Sequence, residues 1–392
     1  MNSVESASFH NELNPDRLVA CAREQAGLED FGADEFLDAL HKFLGFAVEE
    51  GGLTDFGRMV IEADTIRFLV NRLRFQHDLL QHPEILDEDV SDPIIVTGLP
   101  RTGTSKLQRM MSAHPSVQRL VVWRLLNPAP MGGGDVPDPR VAAAQAAEAM
   151  LDNFPDFQAA HPTRALEVDE DALLQELTFD TIIMTFRVRM PSYLSWINAR
   201  PAGPRYDFEK KMLQYLQWQD GGAQGRPWVL KTPVHVGHLD TVAATFPTAT
   251  IVHCHRDPAT VIPSFAKAVA ASRRICSDHV NAAELGSEQL AMWSRAAETN
   301  LEQREQLGDQ LNVVDLPYDL IRSDAHEAIT RVYRAAGRDY SSAARAHVDS
   351  WVSENPQHRF GKHSYVLEDY QLTAEQIRSA FTPYLNRFGN LI

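Results

Sequence analysis

The stretch that most constrains the fold is PIIVTGLPRTGTSKLQRMMSAHP, residues 93–115. Its apolar run at 94–96 leads through a turn at 98–100 into a short polar loop and then into a helical pattern. A strand, a glycine-rich loop and a helix start form a phosphate cradle, because backbone N–H groups and the positive helix end face the anion. The sequence predicts such a cradle at the following residues: Arg101, Thr102, Gly103, Thr104 and Ser105.

This loop departs from the form that binds ATP or GTP, which reads GxxxxGK[ST]. Gly98, Gly103 and Ser105 fit that frame, but Thr104 stands in the lysine position. The cation comes earlier, at Arg101. The pattern therefore favours an anion-binding loop that is not that of an ATP-dependent kinase.

Composition and charge narrow the class of protein. The chain has 392 residues, of which 44% are hydrophobic and 23% charged, as in an ordinary globular protein with a sizeable core. Its net charge of −16 opposes broad binding to nucleic acid, which needs a basic face. A small basic pocket for one anion remains compatible with that charge.

Cysteine usage and hydropathy indicate the compartment. Cys21, Cys254 and Cys276 are too few and too scattered for a disulfide framework or a zinc site, which favours a reducing compartment. The first residues, MNSVESASFHNELN, lack the pattern of a secretion signal. No apolar run approaches the roughly 20 residues that span a bilayer. We therefore expect a cytoplasmic protein without a transmembrane segment, and peripheral contact with lipid stays open.

Two regions of the chain differ in the spacing of their apolar residues. Residues 14–90 show apolar positions at spacings of three and four, which predicts helices, and an acidic run at 87–89 marks a boundary. We interpret 1–90 as a helical N-terminal extension that serves either as a cap or as the dimerisation element of a homodimer. Residues 91–392 then form the main domain.

The main domain alternates strands and helices. Strand-like runs at 228–231, 250–255 and 311–316 are separated by helical spacing, which is typical of βαβ units and parallel pairing. The sequence thus predicts an α/β, P-loop-type three-layer fold with a central parallel sheet and additional helices. Ligands of such sheets bind beyond the carboxyl ends of the strands. The loop at 98–105, Lys231 and Arg256 all fall at such ends, so we expect one shared site.

Arg256 and Ser264 form a second candidate pair. An arginine at a strand end and a serine eight positions on, in the next helix, can meet one phosphate if a turn intervenes. The simpler interpretation is that Asp257 caps a helix with Pro258 in its first turn. The two interpretations are compatible.

Three motifs in order carry a family resemblance. GLPRTGTS, then WVLKTPVH, then HRDP with its later serine resemble the sulfotransferase family, and more narrowly bacterial members related to the tyrosylprotein and carbohydrate sulfotransferases. The resemblance spans 93–265 and continues more loosely through NPQHRFGKHSY to the C-terminus. It identifies 91–392 as a sulfotransferase catalytic domain.

The resemblance implies the donor 3′-phosphoadenosine 5′-phosphosulfate (PAPS) and transfer of a sulfuryl group to a hydroxyl or amine, giving PAP. It places the 5′-phosphosulfate on the loop at 101–105, the 3′-phosphate on Arg256 and Ser264, and a late basic loop on Arg359 and Lys362. Charge builds on the bridging oxygen as the nucleotide leaves, and fixed cations stabilise it. Arg101 and Lys231 are the candidates for that role, and we expect no metal.

The general base is left open by the sequence. Cytosolic family members place a histidine two residues after the strand lysine, where this chain has Pro233, and the nearest histidine is His235. Tyrosylprotein-type members place a glutamate soon after the loop helix, but LVVWRLLNP contains no acid. His235 is our first candidate. The alternatives are Glu170 and Glu167 in the segment HPTRALEVDED.

The remaining conspicuous residues have structural interpretations. His253 and His255 lie on one face of a strand without evident further ligands, so we interpret them as core histidines. Six aromatic residues either line an apolar pocket for the acceptor or pack in the core: Phe186, Tyr193, Trp196, Tyr206, Tyr215 and Trp218. We expect a small or lipid-like hydroxyl compound as the acceptor. The rival functions are an ATP-dependent kinase and a non-catalytic nucleotide-binding protein.

Overall fold

A computed structural model describes residues 13–132, 137–355 and 367–392. Its centre is a five-stranded sheet with the order β2-β3-β1-β4-β5, in which every pair is parallel. The strands are β1 Ile94–Gly98, β2 Gln118–Arg119, β3 Trp228–Lys231, β4 Thr250–His255 and β5 Asn312–Pro317. The predicted α/β fold with a parallel sheet is confirmed.

Helices surround this sheet. The helices of the N-terminal part are α1 Pro15–Ala26, α2 Phe36–Glu50 and α3 Asp55–Gln81. Those up to β3 are α4 Thr104–Met111, α5 Val122–Leu126, α6 Pro139–Leu151, α7 Pro155–Ala160, α8 Ile183–Arg187, α9 Pro191–Asn198 and α10 Gly203–Gln219. The later ones are α11 Leu239–Thr245, α12 Pro258–Cys276, α13 Ala282–Leu307, α14 Tyr318–Ser323, α15 Ala325–Ala335, α16 Ser342–Glu354, α17 Ala374–Ala380 and α18 Thr382–Phe388. None of the helices within the described ranges is long and apolar enough to cross a membrane.

Strand β1 is apolar on both faces because helices cover both sides of the sheet there. Along β1, Ile94 and Val96 pack in one cluster with Leu107 of α4, whereas Ile95 packs in another cluster with Leu239 of α11. Successive side chains of a strand point to opposite faces, so each layer of helices receives alternate residues. This arrangement buries the whole of β1 and holds the following loop at the carboxyl edge of the sheet.

The N-terminal helices share a core with the rest of the chain. Phe43 of α2 and Phe68 of α3 both pack on Phe179, with ring centroids 6.2 and 5.8 Å apart. Phe43 also lies 5.9 Å from Tyr193 of α9. The helical character of this region is confirmed, and the domain boundary at residue 90 stays a prediction.

Two segments are divided into short helices. The region 170–190 contains a 3-10 helix, Asp171–Thr178, and the short α8, and Pro191 begins α9. The region 373–388 is divided between α17 and α18, with Pro383 in the first turn of α18. Proline is favoured in a first turn because its missing N–H has no acceptor there.

Gly98 lets β1 lie close to β4, and we expect Gly98→Ala to lower the free energy of unfolding by about 3 kcal/mol. Its φ is +142°, and an added Cβ would lie 2.3 Å from the Cys254 carbonyl oxygen of β4. Urea unfolding measures the change. Gly203→Ala is the control, since a Cβ there meets nothing within 4 Å. Equal stability of the two variants would contradict the close approach.

Candidate active site

The loop after β1 makes a tight turn. Arg101 has a φ of 68° and Gly103 a φ of 90°, both in the left-handed region. The buried Thr102 donates its hydroxyl to the Leu99 carbonyl at 2.7 Å, which ties the loop to the end of the strand. A Cβ on Gly103 would lie 3.1 Å from the Tyr318 ring, so glycine also provides room there.

Helix α4 begins immediately after this loop. Gly103 is its N-cap, Thr104 is buried at its first position, and Ser105 is exposed. N–H groups in the first turn of a helix have no acceptor within the helix, and the helix dipole makes this end positive. The predicted order of strand, loop and helix is confirmed, and the geometry suits an anion at the helix start.

Arg101 connects the loop to the other predicted phosphate residues. Its Nε donates to the Ser264 hydroxyl at 3.3 Å, and its Nη1 donates to the Ala160 carbonyl at 2.9 Å. Arg256 Nη1 donates to the Arg101 carbonyl at 3.0 Å. The Arg256 guanidinium also stacks 4.0 Å above the Tyr318 ring. The structure thus places Arg101, Arg256 and Ser264 in one connected cluster.

The turn between β4 and α12 explains how Arg256 and Ser264 come together. The strand ends at His255, and Asp257 caps α12 by accepting from the Ala259 N–H at 2.9 Å. Pro258 occupies the first helical position, so Ser264 falls in the second turn. The capping interpretation therefore holds together with the contact to Arg101.

Lys231 is buried at the end of β3. Its Nζ lies 2.7 Å from Glu170 Oε1, and Thr232 donates its hydroxyl to Glu170 Oε2 at 3.1 Å. The backbone N–H of Lys231 donates to Asp171 Oδ1 at 2.6 Å. Only 1% of the Lys231 side chain is exposed, which excludes a solvated lysine at a strand end. A buried ammonium needs such a carboxylate, because burial otherwise penalises its charge.

The two candidate glutamates have different surroundings. Glu170 pairs with Lys231 and keeps 19% of its side chain exposed. Glu167 is more exposed and lies 3.9 Å from Arg109 Nε. Glu170 is therefore the glutamate in direct contact with the predicted catalytic lysine.

His235 lies in the core, which corrects its assignment as the base. Its Nε2 bonds Asp171 Oδ2 and its Nδ1 bonds the Tyr206 hydroxyl, each at 2.8 Å. The ring has no exposed surface and sits in the middle of the 3-10 helix Pro233–Gly237. An acceptor molecule cannot reach a ring nitrogen there. Spacing along the chain predicted its nearness to Lys231 but not its burial.

Two carboxyl groups in the core around this histidine have pKa values shifted in opposite directions. Burial alone would raise the pKa of Asp171, but His235 lowers it below the ordinary value. Burial and the charge of Asp171 raise the pKa of Glu209 well above its ordinary value. The raised pKa favours the neutral form of Glu209 beside the Asp171 carboxylate.

A histidine to which the sequence assigned no role comes directly after Ala160, whose carbonyl oxygen accepts from Arg101. His161 follows Ala160, and its Nε2 lies 3.2 Å from the Asp169 carboxylate. The buried Asp169 also accepts the Glu170 N–H at 2.8 Å. Burial opposes its charge, but the nearby cations outweigh burial, above all His161, and the pKa of Asp169 lies well below its usual range. No spacing rule predicts a pair eight residues apart across an irregular segment.

His253 and His255 are core residues with side-chain partners. His255 Nε2 bonds Asp315 at 2.8 Å and its Nδ1 bonds the Tyr384 hydroxyl at 2.9 Å. Arg304 donates to both oxygens of Asp315, at 2.7 and 2.8 Å. The Asp315 carboxylate, on β5, is therefore already neutralised by Arg304. Burial lowers the pKa of His253 well below its usual value.

The aromatic residues mostly serve the core. Tyr193, Tyr206 and Tyr215 are fully buried in the cluster that covers one face of the sheet. Phe186 instead packs against Phe265, with ring centroids 5.3 Å apart. Phe265 follows Ser264 in the chain. Phe186 therefore contacts a residue next to the cluster of Arg101, Arg256 and Ser264.

Arg359 and Lys362, the predicted basic loop over the nucleotide, lie outside the described residues. The other predicted binding residues are all placed by the structure at the carboxyl edge of the sheet. Lys231 and Glu170 join them at the end of β3.

Comparison with known proteins agrees with this geometry. The model of the sulfotransferase family matches residues 93–342, more than half of the chain, and the chain therefore belongs to the sulfotransferase family. It is a transferase enzyme with the fold of that family. A search of curated proteins finds no match.

Two solved structures are similar over nearly their whole length. Sulfotransferase STF9 from Mycobacterium avium is 25% identical, with a TM-score of 0.86 over 97% of this chain and 98% of that one. Sulfotransferase STF1 from Mycobacterium tuberculosis is 28% identical, with a TM-score of 0.77 over 95% of this chain and 100% of that one. The similarity includes the N-terminal helices, which lie outside the matched family region.

Proposed function

We propose that this enzyme moves a sulfuryl group from PAPS to a hydroxyl or amine of a small or lipid-like acceptor and releases PAP. The observation that carries the proposal is the connected cluster of Arg101, Arg256 and Ser264. It joins the loop suited to the 5′-phosphosulfate with the residues suited to the 3′-phosphate. One nucleotide with phosphates at both positions matches that cluster.

The donor is held by groups of complementary charge. Loop N–H groups and the hydroxyls of Thr104 and Ser105 bind the 5′-phosphosulfate, with Arg101 as the counter-charge. Arg256 and Ser264 bind the 3′-phosphate. Arg359 and Lys362 belong to the proposal on the strength of the sequence alone, as a basic loop over the nucleotide.

The chemistry requires stabilisation of a leaving group. The acceptor oxygen or nitrogen forms a bond to sulfur, the bond from sulfur to the bridging oxygen breaks, and the acceptor proton passes to a base. Negative charge then builds on the bridging oxygen, where Lys231 and Arg101 stabilise it. Both cations are held in place by protein oxygens, so little reorganisation is needed.

Glu170 is the sequence-derived candidate that remains on the acceptor side. Because each of its oxygens accepts one hydrogen bond, from Lys231 or from Thr232, it orients the lysine. A base for the acceptor proton has to come from the same region, and it does not come from the buried His235.

The cellular setting is also part of the proposal. Cys21, Cys254 and Cys276 are free cysteines, as suits the cytoplasm, where thiols stay reduced. A lipid-like acceptor is compatible with a site at the surface edge of the sheet. Dimerisation through α1–α3 stays a prediction.

Thermal unfolding with ligands tests the donor. PAP at 100 times its Kd stabilises the protein by about 2.7 kcal/mol and raises Tm by a few degrees. ATP with magnesium produces a smaller rise because it lacks the 3′-phosphate. Stabilisation by ATP with magnesium and not by PAP would contradict the proposal. Transfer of radiolabelled sulfate from PAPS to an acceptor panel separates an enzyme from a protein that only binds the nucleotide.

A further inference from the structure

His161 lies between the cluster of Arg101, Arg256 and Ser264 and the buried Lys231. It directly follows Ala160, whose carbonyl oxygen accepts from Arg101 Nη1 at 2.9 Å. On its other side, one nitrogen of His161 and one oxygen each of Asp169 and Glu170 all lie within 4.8 Å of one another. Glu170 in turn pairs with Lys231, so the His161 imidazole lies close to the carboxylate that holds this lysine.

The His161 ring is held on one side and open on the other. Its Nε2 contacts the Asp169 carboxylate at 3.2 Å, and its Nδ1 makes no hydrogen bond with any of the described residues. The side chain is 38% exposed, so an acceptor molecule can reach it. An imidazole with one nitrogen fixed by a carboxylate and the other open is the arrangement of a histidine general base.

Asp169 is suited to orient this ring. Only 4% of it is exposed, and its Oδ1 accepts the Glu170 N–H at 2.8 Å. Gln108 of α4 donates to its carbonyl oxygen at 2.9 Å, which links the segment to the helix of the anion loop. A fixed carboxylate stabilises the imidazolium that forms when His161 takes a proton.

The other candidates fit the role less well. Glu170 has both carboxylate oxygens engaged, with Lys231 Nζ and the Thr232 hydroxyl. Taking a proton would weaken its hold on the lysine at the moment when the leaving group needs that cation. His235 has no exposed surface and both its ring nitrogens are bonded.

We propose that His161 is the general base that removes the acceptor proton, with Asp169 as its positioning residue. The inference rests on the proposed function and names a group that the sequence left unassigned. As the acceptor oxygen bonds to sulfur and the bridging bond breaks, its proton passes to His161 Nδ1. Nε2 keeps its proton toward Asp169, and Glu170 keeps Lys231 in place.

The test compares five variants with wild type, using radiolabelled PAPS and an acceptor that the wild type sulfates. Water serves as a second acceptor, measured as hydrolysis of PAPS to PAP. His161→Gln is expected to lower kcat by about 10²–10⁴-fold. KM for PAPS and the Kd for PAP are expected to stay within about twofold, because donor contacts remain. Asp169→Asn lowers kcat less.

Two readouts separate a base from a structural residue. The kcat of the wild type falls as the pH is lowered, because a protonated imidazole accepts no proton, and this fall is lost in His161→Gln. Added imidazole partly restores the turnover of His161→Ala, which it would not do for a misfolded site. His77→Gln is the matched control, since His77 is exposed on α3 and has no role in the proposal, and turnover should be unchanged.

The outcomes distinguish this inference from the proposed function. If wild type transfers sulfate and His161→Gln does so within threefold of it, the assignment of His161 is overturned. If Glu170→Gln loses the fall of kcat at low pH while His161→Gln keeps it, Glu170 is the base and the assignment of His161 is overturned. If wild type binds no PAP and neither transfers nor hydrolyses, the proposed function fails, and this inference with it.

Discussion

Lys231→Met lowers kcat for sulfuryl transfer by about 10²–10³-fold, the usual loss when one preorganised donor to a developing oxyanion is removed. Methionine keeps most of the buried stem and removes the ammonium. Lys231 is almost completely buried, so no water replaces that charge efficiently. Glu170 loses its ion-pair partner in this variant and protein stability falls as well.

Loss of catalysis and loss of stability are separable in this pair. The double variant Lys231→Met with Glu170→Gln removes the uncompensated carboxylate. Its Tm should therefore be higher than that of Lys231→Met, while the kcat values of the two variants should be equally low. Lys211→Met, at an exposed position of α10, is the control and leaves kcat unchanged. A kcat for Lys231→Met within threefold of wild type would remove Lys231 from the mechanism.

Arg256→Ala weakens binding of PAP by about 10–100-fold, the value of one or two charge-assisted hydrogen bonds. AMP, which lacks the 3′-phosphate, should lose little affinity. The comparison matters because Arg256 also donates to the Arg101 carbonyl. If it acted only by shaping the loop, both nucleotides would lose affinity equally.

Calorimetric titration of both nucleotides against three variants measures this effect. Ser264→Ala should also weaken the binding of PAP more than the binding of AMP. Its effect should be smaller than that of Arg256→Ala, because a hydroxyl carries no charge. Arg295→Ala, at an exposed position of α13, serves as the control. Equal losses for PAP and AMP in Arg256→Ala would refute the assignment of the 3′-phosphate.

The parts of this site that the sequence predicted are those with local patterns. Apolar runs predicted β1, β3 and β4 within a residue or two, and Gly98 and Gly103 marked two positions with positive φ, although Arg101 also adopts one. A parallel sheet then places the carboxyl ends of its strands at one edge, so the nearness of Arg101, Lys231 and Arg256 followed from topology.

The parts that the sequence did not predict depend on partners far apart in the chain. Lys231 meets Glu170 across 61 positions, and His235 meets Asp171 across 64. Alternation and spacing carry no information about which side chain is enclosed by such contacts. His235 therefore looked like a base beside Lys231, although the core closes over it, and His161 looked like part of an acidic segment.

The sequence by itself determined the class of fold, the anion loop with its arginine, and the family, because these reside in short-range patterns of apolar, glycine and charged residues. Only the tertiary structure decided which ionisable groups are buried, which are paired and which remain open to an acceptor. Those properties follow from packing between segments distant in sequence, where burial and partner charges decide whether a histidine supports the core or can take a proton.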